Sequence, residues 1–260
     1  MTIAGSDSSG GAGIQADLKA FTYYRVHGLT AVTCVVAEVP GLVQSIQAVD
    51  PRVVRDQIRL GFENYPVAVV KTGMLYSAEI VAAVSDEIGR IPPASRPALI
   101  VDPVMVASSG DSLLESQAVT VYRERLLPLA SLVTPNLDEA GVLVGRRLVS
   151  FADLLSAGHE LTNRYGVRFL VKGGHLGSET AVDVLFGIGN PSPQEFAAPF
   201  VKGQSTHGTG CTLSAAIAAQ VALGTDLAAA VAEAKRFVTG AIRGALHWSR
   251  PQPVSALKLW

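Results

Sequence analysis

Cysteine is scarce in this chain. Cys34 and Cys211 are the only two among 260 residues, far apart in sequence, so no disulfide framework is expected and a reducing cytoplasm is the natural setting. An excess of one charge is also lacking. The 21 basic and 22 acidic residues leave a formal net charge of −1, which gives no electrostatic reason to expect nucleic acid or an acidic membrane surface as partner. Long apolar runs are missing too. The mean hydropathy of +0.33 comes from Ala, Val and Leu spread along the chain, and without an uncharged run of about 18 apolar residues no transmembrane helix is expected. The opening Thr2-Ile3-Ala4-Gly5-Ser6-Asp7 lacks the basic and apolar regions of a signal peptide. There are no repeats, low-complexity tracts or linkers. Residues 1–260 are therefore expected to form one domain, and at 48% hydrophobic they can bury a substantial core.

Short β-branched runs alternate with longer amphipathic stretches. The pattern predicts strands near 28–37, 43–49, 67–71, 98–102, 131–134, 167–172 and 181–186. It predicts helices near 13–26, 51–63, 77–90, 115–127, 136–145, 150–165, 209–223 and 225–246. Such alternation indicates βαβ units and an α/β fold with a largely parallel sheet covered on both faces. The runs at 28–37 and 43–49 are separated only by a short Pro40-Gly41 turn, which suits a hairpin, as a lid or dimer contact, better than a crossover. The patch Asn190–Gln194 reads as a loop between two strands.

Four apolar runs end abruptly in polar residues. Val69-Val70 leads into Lys71-Thr72-Gly73, Leu99-Ile100-Val101 into Asp102, Leu132-Val133 into Thr134-Pro135-Asn136, and Phe169-Leu170-Val171 into Lys172-Gly173-Gly174-His175. Ligands of open α/β sheets bind beyond the carboxyl ends of the strands, so four such ends point to one composite site.

The sharpest local feature is Thr206-His207-Gly208-Thr209-Gly210-Cys211-Thr212, followed by an alanine-rich helical run. Its glycines let backbone approach a ligand, and a helix N-terminus offers unpaired N–H groups to an anion such as a transferring phosphate. The plainer alternative is a glycine turn that caps a buried helix. The run is not G-x-x-x-x-G-K-[ST]. A second cluster, Gly5 to Gly13, does not fit G-x-G-x-x-G; it either binds substrate or permits a tight turn.

The segments IAGSDSSGGAGIQADLKAF, VKTGML, VDPVMVASSGD, TPNLDEA, VKGGH and STHGTGCTLSAAIAA, in that order from residue 2 to about 245, resemble the hydroxymethylpyrimidine/phosphomethylpyrimidine kinases of thiamine biosynthesis. These belong to the ribokinase-like superfamily. The resemblance implies a three-layer α/β/α fold with a mostly parallel central sheet, a homodimer, and transfer of phosphate from ATP, with Mg2+, to the pyrimidine's hydroxymethyl group and then to the monophosphate. It implies that Gly208–Cys211, with Thr209 and Gly210 at the nucleotide phosphates, is the anion hole and that Lys172 reaches those phosphates. Asp102 and Glu139 would lie near magnesium, largely through water. Asn136 would hold a phosphate or a metal-bound water, although Asn136 and Glu139 also have the spacing of a helix capping box, and both readings stand together. Met74 and Val104 would pack on the pyrimidine, with backbone groups of Gly5 and Val36 at its edge. Cys211 occupies the place of the catalytic aspartate of superfamily sugar kinases. It is either a base, its thiol lowered by the helix N-terminus, or a small residue with no proton to move.

The chain departs from the family at Glu38, where glutamine is usual. Ionised glutamate only accepts hydrogen bonds, whereas glutamine also donates, so Glu38 is expected either to tune the pocket toward the monophosphate alone or to admit a related ring such as pyridoxal. The stretch Leu246-His247-Trp248-Ser249-Arg250-Pro251 also departs from the family's Gly-His-Gly ending and carries no assigned role. A dinucleotide-dependent oxidoreductase is excluded by the missing fingerprint. A non-catalytic pyrimidine-binding module is expected to lose Lys172, Asp102 or the Gly-Thr-Gly loop, and all three are present.

Overall fold

A computed structural model gives the structure of the protein and describes residues 1–105, 116–174, 179–190, 192–202, 207–249 and 253–260. The chain runs β1 (Thr2–Asp7), α1 (Gly13–Tyr23), β2 (Thr30–Val39), β3 (Leu42–Ala48), α2 (Pro51–Asn64), β4 (Val69–Thr72), α3 (Ala78–Gly89) and β5 (Ala98–Val101). It continues with α4 (Ser116–Val121), β6 (Leu132–Val133), α5 (Leu137–Val144), α6 (Phe151–Tyr165), β7 (Arg168–Lys172), β8 (Thr180–Phe186) and β9 (Gln194–Pro199). Last come α7 (Thr209–Ala222), α8 (Leu227–Arg243), β10 (Leu246–Trp248) and β11 (Val254–Ala256).

The main sheet has the order β3-β2-β1-β4-β5-β6-β7-β8-β9. The six strands from β2 to β7 in that order pair in parallel, while β3, β8 and β9 are antiparallel additions at the two edges. Side chains alternate faces along each strand, and two cores follow from that alternation. Val70, Leu99, Val101, Val133, Phe169 and Val171 face one core, shared with Val54 and Ile58 of α2, Ile80 and Val84 of α3, Leu143 of α5 and Leu154 of α6. Val69, Ile100, Leu132 and Leu170 face the other, shared with α1, α7 and α8. Helices thus cover both faces, which makes three layers. Alanine dominates the buried face of α7 (Ala215, Ala216, Ala218, Ala219), so α1 and α8 can pack close against it.

The expected strands and helices are present, with four differences. β1 was not anticipated, because its run TIAGSD is short and half polar. It becomes a strand by lying between β2 and β4, where the sheet supplies partners for its backbone groups. β9 supplies the strand expected after Asn190–Gln194. The helix expected over 115–127 loosens after Val121 into a π turn at Tyr122–Leu126 and a 3-10 turn at Leu127–Leu129, where Pro128 removes a backbone donor. The helix expected to reach 246 stops at Arg243 before Gly244, and a small antiparallel hairpin, β10 with β11, follows it.

Candidate active site

The parallel strands β4, β5 and β7 end on one side of the sheet, and a cavity of about 580 Å³ opens there. Its lining includes Gly5, Val36, Glu38, Met74, Val104, Asp102, Asn136, Glu139, Lys172, Gly208, Thr209, Gly210 and Cys211. His175, Thr206 and positions 106–111 of the VDPVMVASSGD run lie outside the described residues.

Asp102, just past β5, is buried and ringed by donors. Its Oδ1 accepts from Lys172 Nζ at 3.0 Å and from Thr134 Oγ1 at 3.2 Å, and its Oδ2 accepts from Ser214 Oγ at 3.2 Å. Burial alone would raise its pKa, but the Lys172 and Lys71 ammonium groups outweigh that and hold it below the carboxylate range. Burial likewise opposes the charge on Lys172, yet Asp102 and Glu139 keep it above the usual lysine value. Lys172 is therefore a fixed cation.

Asn136 and Glu139 form the capping box at the start of α5. Glu139 N–H donates to Asn136 Oδ1 at 2.9 Å, and Asn136 N–H donates to Glu139 Oε2 at 2.7 Å. Burial pushes Glu139 up to about 7, with Lys172 resisting and the Asp102 charge adding to the rise.

Gly208 caps α7 with φ +78°, and a Cβ there would overlap the Gly11 carbonyl oxygen, so only glycine fits. The N-cap residue is itself a glycine, which offers the first turn no side-chain cap, and Gly208, Thr209, Gly210 and Cys211 all line the cavity. At Gly210 a Cβ would stand 3.2 Å from Lys172 Nζ. The bare backbone is what lets the lysine lie against the loop.

Of the two readings of Cys211, its surroundings favour the small residue with no proton to move. Burial pushes the Cys211 thiol up to about 11 despite the nearby Lys71 charge, with Asp102 and Asp17 adding to the rise; the helix N-terminus does not make it a thiolate. Val36 lines the cavity, and its carbonyl oxygen accepts from Ser8 N–H at 3.1 Å. Gly5 does back onto Met74, since a Cβ there would stand 2.8 Å from Cys34 Sγ and 3.8 Å from Met74 Sδ.

Sequence reasoning missed several supports. Ser214 lies one helical turn after Gly210, and its spacing in an alanine run was the available signal. Asp7 Oδ2 accepts four donors: Ser9 Oγ (2.8 Å), Gly11 N–H (3.1 Å), Ala12 N–H (2.7 Å) and His207 Nε2 (3.0 Å). Asp7, Glu38 and His207 carry ligand-type atoms within 4.8 Å of one another, but an oxygen already bound by four donors is a poor metal ligand, and within the trio Asp7 and His207 are joined by a hydrogen bond with Glu38 beside them. Beneath the loop, Lys71 Nζ donates to both oxygens of Asp17 at 2.9 Å, and both side chains are fully buried. Nothing in the sequence pattern pairs residues 54 positions apart.

A parallel sheet between helical layers, with a lysine, two carboxylates and a glycine-capped helix start at its carboxyl edge, is the arrangement of a ribokinase-like phosphotransferase. The comparisons narrow this further. The phosphomethylpyrimidine kinase family model matches residues 7–253, and the chain belongs to that family. It is 42% identical over 246 residues to a hydroxymethylpyrimidine/phosphomethylpyrimidine kinase of Rhizobium meliloti, covering 94% of this chain and 90% of the relative. A bifunctional thiamine biosynthesis protein of Geobacter sulfurreducens is 44% identical over 244 residues, covering 94% of this chain but 49% of that protein, so the chain spans about half the length of this relative. Among solved structures, a Bacillus subtilis pyridoxal kinase in complex with ADP superposes with a TM-score of 0.88 at 35% identity, covering 99% of this chain and 95% of that one.

Proposed function

We propose that the protein transfers the γ-phosphoryl group of ATP to 4-amino-5-hydroxymethyl-2-methylpyrimidine phosphate, forming the diphosphate in thiamine biosynthesis, and that the free alcohol is a possible first substrate. The observation that carries the proposal is the meeting of Lys172, Asp102 and the glycine-capped start of α7 in one cavity of a chain belonging to this kinase family.

The roles follow from charge. Lys172 binds the nucleotide phosphates, and the backbone of Gly208–Cys211 receives the phosphoryl group as negative charge develops on it. Asp102 and Glu139 are two buried carboxylates close to Lys172. Their hard oxygens, with the Asn136 amide nearby, suit Mg2+ held largely through water. When bound, Mg2+ neutralises phosphate charge and orients the γ-phosphoryl group. Cys211, a neutral thiol, moves no proton. None is required for the monophosphate, whose attacking oxygen is already largely ionised at pH 7 because its second pKa is about 6.

Met74 and Val104 would sandwich the ring. Burial and the nearby Asp7 charge raise the pKa of Glu38, with His207 pulling the other way. A Glu38 carboxyl that keeps its proton can donate to a ring nitrogen and accept from the exocyclic amine, the pair of roles an amide would supply. Exposed Val35, Val39 and Leu42 on the β2–β3 hairpin suit a homodimer contact. No helix among the described residues is long and apolar enough to cross a membrane. Together with two free cysteines, this suits a cytoplasmic setting for one domain over residues 1–260.

The likeness to a pyridoxal kinase keeps pyridoxal as the second reading. Coupled ADP release with the two pyrimidines and with pyridoxal, each repeated for Glu38→Gln, separates the readings. Highest kcat/KM on the monophosphate supports the proposal, and preference for pyridoxal overturns it. No turnover with any of the three leaves only a binding module.

A further inference from the structure

Three segments distant in sequence meet at one edge of the cavity, and none of them is part of the Lys172–Asp102 group. The turn after β1 is wound around Asp7. Its Oδ1 accepts from Ser9 N–H at 2.6 Å, and its Oδ2 accepts from Ser9 Oγ and from the N–H groups of Gly11 and Ala12. The β2–β3 hairpin is stitched to the same turn through Ser8, whose Oγ donates to the Glu38 carbonyl at 3.1 Å and accepts from Glu38 N–H at 3.0 Å. The third segment is the start of the anion loop, where His207 Nε2 lies 3.0 Å from Asp7 Oδ2 with both side chains almost wholly buried.

His207 is adjacent to Gly208, whose missing side chain lets the loop press against the Gly11 carbonyl. Asp7 therefore holds the glycine-rich turn from inside and the anion loop from outside with the same oxygen. The contact lies directly before Gly208, the N-cap of α7, so it bears on where the first turn of that helix sits.

We infer that the Asp7–His207 pair is a clasp that fixes the anion loop against the glycine-rich turn, which makes both side chains positioning residues for phosphoryl transfer. The inference rests on the kinase reading above.

The chemistry of the clasp is that of a charge-assisted hydrogen bond, shorter and stronger than a neutral one. Burial alone would strip the proton from His207, but Asp7 and Glu38 outweigh it and keep the imidazolium above the usual histidine range. Among the described residues, the charged groups that act on the ring are Asp7 on β1 and Glu38 on β2, while Lys19 on α1 is tied to the Gly10 carbonyl at 2.6 Å. The Cys211 thiol on α7 is neutral. An imidazolium at this position also adds positive charge beside the anion loop. Deprotonation would weaken the clasp and remove that charge together, so the activity carries an alkaline fall set by His207.

The test uses the full chain with the pyrimidine monophosphate and ATP. His207→Gln and Asp7→Asn are each expected to lower kcat about ten- to a hundredfold, the scale of a small misplacement of reacting groups, with the KM for ATP little changed. The alkaline fall of kcat moves to lower pH in Asp7→Asn and disappears in His207→Gln. His207→Lys, which keeps a cation beside Asp7, recovers part of kcat without the fall. Histidine ring titration by NMR, followed without substrate, should show His207 above its ordinary pKa and dropping in Asp7→Asn. Variants that melt earlier but keep the kcat and pH profile of the unaltered protein overturn the inference. So does a His207 that titrates normally and ignores Asp7→Asn. An unaltered protein that forms no ADP overturns the kinase reading instead, while the ring titration still reports on the clasp.

Discussion

Lys172 Nζ donates to Asp102 Oδ1 at 3.0 Å across the end of β6, joining β5 and β7, two strands that are not neighbours in the sheet. The bond places the Lys172 ammonium at the lip of the anion loop, where Gly210 has no side chain to push it away. Lys172→Met is expected to lower kcat/KM about 10²- to 10³-fold, the range seen when a fixed electrostatic stabiliser is removed. Initial rates of ADP release check this, and a loss below tenfold would take Lys172 out of the phosphate-binding role.

Cys211 lines the cavity as a neutral thiol. A positioned general base contributes about 10²- to 10⁴-fold, so its removal separates the two roles. Cys211→Ala is expected to keep turnover of the monophosphate within about tenfold, and the cysteine should react slowly with iodoacetamide at neutral pH. A 10³-fold loss of rate would restore Cys211 as a base.

The Asp17–Lys71 pair is fully buried, with Thr2 Oγ1 donating to Asp17 Oδ2 at 2.5 Å. Breaking such a pair leaves an uncompensated charge and costs about 3–5 kcal/mol, whereas replacing both partners by apolar residues is far milder. Lys71→Met should therefore lower the urea midpoint strongly, and Asp17→Leu/Lys71→Met should regain most of the loss. Additive effects of the two substitutions would contradict the coupling.

Asp7 sets an acid limit. Burial works against its charge, but the His207 bond and the N–H groups of its turn lower its pKa from the ordinary 3.8 to about 2. A carboxylate with a depressed folded pKa stabilises fully above its unfolded value and loses that stabilisation as pH falls through the folded one. Asp7 should thus contribute about 2 kcal/mol above pH 4, lost between about pH 4 and pH 2. Denaturant titrations across that range should show a flatter acid limb in Asp7→Asn.

The sequence carried most of the architecture because its helices and buried strands have distinct periods, and because polar residues stop each apolar run at the same sheet edge. The composite site was legible for the same reason: Asp102, Asn136 and Lys172 all sit just at or past a strand end. What was not legible is pairing at long range. Asp7 with His207 and Asp17 with Lys71 are brought together only by the position of β1 in the middle of the sheet, and β1 is too short and polar to announce itself. The state of Cys211 stayed open between a base and a bystander because the helix-start argument omits desolvation, which here pushes the thiol up.

The most direct test is a single turnover of excess protein with ATP, Mg2+ and the pyrimidine monophosphate, read by ³¹P NMR. The proposal predicts one pyrimidine diphosphate for each ADP formed and no free phosphate. ADP appearing with inorganic phosphate in place of the diphosphate, or no loss of ATP, would contradict it.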